Sequence, residues 1–332
     1  MTLPTILEEN LRLPVIGSPL FIVSNPDLVI AQCKAGIVGS FPALNARPAE
    51  ELELWLQRIH TELAEYKAAH PEKKVAPYAV NQIVHQSNDR LEHDLEMCVK
   101  YEVPIVITSL RAPTEAIPAV HSYGGLVFHD VINVRHAQKA IEAGVDGLIL
   151  VCTGAGGHAG TLSPFALVSE IRSFYDGPII LSGAITRGEH ILAAQSMGAD
   201  LAYMGTRFIA TEEANAAPDY KSMIVDSSAG DVVYTNLFTG VHGNYLGGSI
   251  TRAGLDPNDL PEADKSKMSF GSGGSSKNKA WKDIWGAGQG VGSIRDVRPA
   301  GEVVTNLERE YVAAQRRMAG QVWAMETAVD PV

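Results

Sequence analysis

The chain has 332 residues, 45% hydrophobic and 20% charged, a mix that buries a large core and excludes disorder as the main state. Its length admits two ordinary domains or one α/β barrel carrying an insertion. With 27 basic and 38 acidic residues the net charge is −11, which repels phosphate backbones and excludes nucleic acid as an expected partner.

Eight short apolar runs recur along the chain: Leu13–Gly17, Gly36–Ser40, Val75–Val80, Pro104–Thr108, Gly125–His129, Gly147–Val151, Pro178–Ser182 and Asp200–Met204. They are continuous rather than alternating, the pattern of strands buried on both faces. Amphipathic stretches lie between them, such as Ala49–Tyr66, Asp89–Tyr101, Val134–Ala143 and Gly188–Met197. Gly144 and Gly198 follow two of these stretches, at the position where a left-handed residue ends a helix. Eight such units predict a (β/α)8 TIM barrel within the α/β class, with a doubly wound sheet as the alternative. The count favours the barrel, and no GxGxxG follows the first run, as a dinucleotide-binding sheet would require.

After Thr211 the rhythm stops. Residues 212–285 read as an inserted, mostly helical and loop segment, including a Gly/Ser/Lys loop at Ser269–Lys279. The chain returns as a long amphipathic helix, Ala300–Thr327, taken as the last barrel helix. The expected division is therefore a barrel of residues 1–211 plus 286–332, with 212–285 capping its C-terminal face; an oligomerisation appendage is the plainer alternative. No run of about 18 apolar residues is present, so no transmembrane helix is expected. The opening MTLPTILEENLRLP carries acids where a signal peptide needs a basic then an apolar run. Cys33, Cys98 and Cys152 follow no metal spacing, so a cytoplasmic protein without a metal site is expected.

Barrel chemistry sits at the C-terminal ends of the strands. The sixth run ends Val151-Cys152-Thr153-Gly154-Ala155-Gly156-Gly157-His158-Ala159-Gly160. Glycines let a flat or phosphorylated ligand approach the backbone, and an imidazole exchanges protons near neutral pH. An isolated histidine in a turn would be incidental; His158, set among glycines at a strand end, points to chemistry. Small residues after the seventh and eighth runs, Gly183-Ala184 and Gly205-Thr206, are the makings of a barrel phosphate site, or else serve turn geometry while Arg207 makes a structural ion pair. Asn81 follows the third run, where it bonds a heterocycle or forms a turn. His129 and Asp130, ending the fifth, are both expected to face the mouth.

These strand ends resemble those of the nitronate monooxygenase (2-nitropropane dioxygenase) family of FMN-dependent barrels. The resemblance rests on Ala155-Gly156-Gly157-His158-Ala159-Gly160, Val134-Arg135-His136-Ala137, Met204-Gly205-Thr206-Arg207-Phe208 and the late Gly286-Ala287-Gly288-Gln289-Gly290-Val291-Gly292. It implies FMN as cofactor and His158 as the catalytic residue. It places Pro19, Leu20, Phe21, Asn81 and Gly157 at the flavin ring and Gly183, Ala184, Gly205 and Thr206 at the phosphate, with Met204 also among the cofactor-binding residues. The implied reaction is oxidation of an alkyl nitronate or nitroalkane by molecular oxygen to a carbonyl compound and nitrite, with a homodimer as the candidate assembly. The alternative on the same fold is an NAD(P)H-dependent reductase of quinones or enoyl thioesters; a flavin-free phosphate-binding barrel and a non-catalytic barrel are more distant ones. Two positions depart from the family pattern: Gly154 stands where many members have an acid, and Asp130 where some have Lys.

Overall fold

A computed structural model describes residues 3–263 and 283–320. Eight parallel strands form the barrel: β1 (Val15–Gly17), β2 (Gly39–Pro42), β3 (Tyr78–Val84), β4 (Ile105–Leu110), β5 (Leu126–Val131), β6 (Gly147–Val151), β8 (Ile179–Ser182) and β9 (Leu201–Met204). β9 pairs back onto β1, and the ring closes where Gly17 N–H donates to the Val38 carbonyl (2.8 Å) and Val38 N–H to that of Val15 (3.1 Å). The expected runs lie within a few residues of these strands. Gly36–Ser40 starts three residues early, because Gly36 forms the left-handed cap of the preceding helix, at φ 90°.

The alternation of side chains across each strand builds two cores. Ile16, Val38, Ile105, Ile107, Phe128, Ile149, Ile180 and Leu201 point inward and fill the barrel. Their neighbours point outward and pack against the helices: Val106 and Val127 on one side, Leu148, Leu150, Leu181 and Met204 on the other. At about 25 cal/mol per Å² of apolar area, these buried faces are the main favourable term in folding.

The described part of the last helix, Ala300–Ala319, packs between α2 (Pro26–Ala35) and α8 (Gly188–Ser196). Gly188 makes that approach possible: a Cβ there would stand 2.2 Å from the Leu307 carbonyl oxygen. The rest of the expected Ala300–Thr327 helix, and the Ser269–Lys279 loop, lie outside the described residues.

The described part of the insertion is mostly helix and loop, as expected, and adds a small sheet. It contributes two strands, β10 (Val232–Thr235) and β11 (Gly243–Leu246), which with β7 (Gly157–His158) make a three-stranded antiparallel sheet. β11 pairs Gly243 with His158 and Asn244 with Gly157, so the insertion is hydrogen-bonded to the chain segment that carries the histidine. Such short strands give too little periodicity to be read from sequence.

His129 corrects one expectation. It does not face the mouth; it is 3% exposed among the outward-facing groups, with Nδ1 2.8 Å from Thr108 Oγ1. Asp130 faces inward, and adjacent strand residues cannot share a face. Burial, reinforced by the nearby His136, pushes the His129 pKa down to about 4. The unfolded chain, with a histidine pKa of about 6.5, therefore binds a proton that the folded chain refuses as pH falls from about 6.5 toward 4. The stability due to neutral His129 is full above that window and is lost on acidification. We predict that His129→Gln, which keeps a hydrogen-bonding group but cannot ionise, flattens the acid limb. Urea unfolding between pH 6 and 4.5 should show wild type losing about 1.4 kcal/mol more per pH unit than the variant.

Candidate functional site

The C-terminal ends of the strands open onto a cavity of about 640 Å³, a size typical of small-molecule sites. Of the residues singled out from sequence, His158, Pro19, Leu20, Phe21, Asn81, Gly157, Gly183, Ala184, Gly205 and Thr206 all line it. Met204 does not. Tyr203 points into the barrel and lines the cavity, so Met204 points outward into the helix-facing core, fully buried. It reaches the loop only through its backbone carbonyl, which accepts from Ser18 N–H (2.9 Å). Arg207 also turns away, pairing with Asp296 Oδ1 at 2.9 Å.

The loops around the cavity hold unusual backbone. Among the described residues four non-glycine residues have positive φ, and three of them, Ile22 (67°), Leu110 (82°) and Ala184 (54°), line it. Each such residue costs of order 1–3 kcal/mol and persists only where its surroundings impose it, a pattern concentrated at ligand sites. Gly157 works in the opposite sense. Its φ of 65° suits glycine, and a Cβ there would meet no atom within 4 Å and would project into the cavity. The missing side chain keeps one wall flat beside His158.

His158 is held from the insertion. Its Nε2 lies 3.0 Å from Thr239 Oγ1, and that hydroxyl donates to the Val241 carbonyl at 2.9 Å. With the hydroxyl proton so directed, the Thr239 oxygen receives Nε2–H, which leaves Nδ1 as the basic nitrogen. Burial pushes the His158 pKa down to about 4. The ring keeps part of its surface open to the cavity, so contact with water tempers this shift, but its direction makes the imidazole neutral at pH 7.

Around the same cavity, three neighbouring strands present a polar chain. Asn81 Nδ2 donates to Ser109 Oγ (2.9 Å), and Ser109 Oγ donates to Asp130 Oδ2 (2.6 Å). Desolvation pushes the Asp130 pKa up to about 7, against the lowering effect of Ser109.

The insertion and the late glycine segment complete the walls. Tyr220, Phe238, Thr239 and Trp285 line the cavity, as do Gly286, Gly288 and Gly290. The glycine segment is fastened by Gly288 N–H donating to Thr206 Oγ1 (2.9 Å) and Gln289 N–H to the Gly154 carbonyl (2.9 Å). Several contributors escaped the sequence reading, Thr239 and Arg47 among them. Thr239 is 81 residues from His158, and only the β11–β7 pairing brings them together. Arg47 brings a positive charge to the lining, its guanidinium 5.3 Å from the Phe21 ring, from a loop with no motif to mark it. Among the described residues no group of acids, histidines and cysteines is arranged to hold a metal ion, and no helix is long and apolar enough to cross a membrane.

The family model for nitronate monooxygenase matches residues 7–310. A nitronate monooxygenase of Paraburkholderia phytofirmans is 26% identical over 345 aligned positions, covering 90% of this chain and 92% of the relative. Nitroalkane oxidase from Streptomyces ansochromogenes has the same fold with a TM-score of 0.79 at 23% identity, over 95% of this chain and all of that one (100%). FabK from Thermotoga maritima gives 0.74 at 24% identity, over 96% and 97% of the two chains.

The Thr239 contact makes a prediction of its own. Thr239→Val keeps the shape and removes the oxygen that fixes the His158 tautomer, at a cost of about 0.5–1.5 kcal/mol for one hydrogen bond. Nitrogen-15 spectra of histidine-labelled protein should show one His158 tautomer in wild type and a mixture of two in the variant. An unchanged spectrum would mean that Thr239 does not orient the ring.

Proposed function

The chain belongs to the nitronate monooxygenase family of flavin-dependent oxidoreductases, and from that premise we propose that it binds FMN in the barrel mouth and oxidises alkyl nitronates with molecular oxygen to a carbonyl compound and nitrite. The observation that carries the reading is a neutral, oriented imidazole on the wall of a cavity large enough for a flat heterocycle, beside the glycine whose side chain would fill it.

The residues present fit a flavin. Pro19, Leu20 and Phe21 offer an apolar surface for the ring, Asn81 and Ser109 offer polar groups, and Gly157 leaves room. The turns at Gly183-Ala184 and Gly205-Thr206 suit one phosphate, and no dinucleotide fingerprint calls for FAD. When bound, the flavin supplies electron transfer and the reaction with oxygen. The chain supplies the rest. His158, neutral at pH 7, takes the α-proton of a neutral nitroalkane; lacking a charge, it gives an anionic nitronate no electrostatic hold. Arg47 supplies the positive charge that draws the anion in. The described residues between 212 and 285 act as a cap over the barrel, with Tyr220, Phe238 and Trp285 excluding water.

Two measurements test this reading. In Gly205→Asp a carboxylate enters beside the proposed phosphate. The added Cβ also displaces the Ser18 hydroxyl, 2.6 Å away, whichever flavin is bound. Like charges at close range in a partly desolvated site cost several kcal/mol. The variant should therefore lose at least about tenfold more affinity for FMN than for riboflavin, which has no phosphate. Equal losses would put the phosphate elsewhere.

The second test replaces His158 with Asn, which keeps a donor but cannot take a proton. A positioned base contributes about 10²–10⁴-fold, and a ring with its pKa lowered toward 4 belongs at the lower end. His158→Asn should lower kcat/KM by about 10²-fold for neutral nitroalkanes and far less for preformed nitronates. Equal losses on the two forms would make His158 a binding group instead of a base.

A further inference from the structure

The mechanism above uses one titratable group of the cavity and leaves another idle. Asp130, at the inner face of β5, has no arginine, lysine or histidine in ion-pair range among the described residues. Its Oδ2 meets the Ser109 hydroxyl at 2.6 Å, and its Oδ1 is sealed from solvent without a hydrogen-bond partner. The Tyr203 hydroxyl, reaching in from β9, is likewise sealed and without a partner. A carboxylate with one oxygen sealed and unsatisfied is unfavourable in its charged form, whereas the neutral acid leaves a carbonyl whose missing partner costs far less. Ser109, unlike the sealed oxygens, keeps part of its surface open and lines the cavity.

We propose that Asp130 is a proton store for the cavity: it takes up one proton when negative charge enters the mouth, and that frees the Ser109 hydroxyl to donate its own proton to the occupant as a hydrogen bond. The balance is simple. A solvent proton goes to Asp130 Oδ2, Oδ2–H then donates to Ser109 Oγ, and the Ser109 O–H turns from Asp130 toward the occupant. No covalent bond between heavy atoms changes, and no electron moves. Asn81 steadies the serine by donating to the same oxygen (2.9 Å). Beyond these neighbours, the groups able to act on Asp130 are Tyr203 on β9 and, around the same cavity, His158 on β7, His136 on α6 (Val134–Ala143) and Arg47. With both histidines held below their ordinary pKa, they do not compete for this proton near pH 7. The Asp130 carboxyl, pushed up to about 7, titrates there instead, and an arriving anion raises it further.

The inference rests on the flavin reading, because the test places negative charge in the mouth by reducing bound FMN. FMN-loaded wild type and Asp130→Asn are reduced anaerobically with dithionite, and the midpoint potential is followed from pH 6 to pH 9. Asn retains the shape and the contact to Ser109 but cannot take up a proton. Above about pH 7, wild type should consume one more proton per two electrons than the variant, so its reduction equilibrium falls about tenfold more per pH unit. Parallel pH profiles would overturn the proposal while leaving the flavin reading intact; a wild type that retains no flavin after reconstitution would overturn both. Should Asp130→Asn fail to fold, the wild type alone decides. The reduced-minus-oxidised infrared spectrum at pH 8 should gain a protonated carboxylic-acid carbonyl band, and its absence would overturn the proposal.

Discussion

A closed ring of eight parallel strands admits side chains to its interior only from alternate positions, and the rest of this molecule follows from that constraint. Inward positions along the lower ring are apolar and fill the barrel. At the upper rim the inward positions become Asn81, Ser109, Asp130 and Tyr203, and these set the polar character of the cavity. Each rim residue has a neighbour that the same rule turns outward. His129 is thereby buried beside Thr108, and Met204 packs against the helices. Whether a group meets a ligand or serves as core is decided by one step along the strand.

The second constraint is how His158 is held. It lies beyond the end of β6, on a segment that barrel packing alone would leave as a glycine loop. Pairing of β7 with β11, and the contact from Thr239, make it part of a small sheet whose other strands come from the insertion. The insertion therefore orients the imidazole as well as walling the cavity. Backbone held at positive φ at Ile22, Leu110 and Ala184 belongs to the same economy, in which the rigid ring beneath supports unfavourable loop conformations around the mouth.

Much of this was legible in the chain. Continuous apolar runs mark strands buried on both faces, and the eight runs lie on the eight barrel strands. Ten of the eleven residues singled out for the site line one cavity, because strand-end glycines and the lone histidine among them are local signals. Met204 and His129 were misplaced for one reason: a run of consecutive apolar or polar residues does not reveal its own phase, which only the closed ring fixes. Thr239 and Arg47 lay beyond reach for another. Their positions depend on chain pairing across long separations, and an isolated threonine or arginine in a loop carries no mark of it.

The two histidines and Asp130 show the same burial acting in opposite directions on charge. Low dielectric keeps His158 and His129 neutral by lowering their pKa values and keeps Asp130 protonated to higher pH by raising its own. The proposed chemistry needs this arrangement, a neutral base and an acid near its midpoint lining one cavity, around a cofactor that handles the electrons. The measurement that bears on it most directly is anaerobic mixing of the FMN-loaded protein with an alkyl nitronate and, separately, with NADH. Rapid bleaching of the flavin by the nitronate, with the NADH sample left oxidised, is the predicted result. Bleaching by NADH while the nitronate leaves the flavin oxidised would contradict the account.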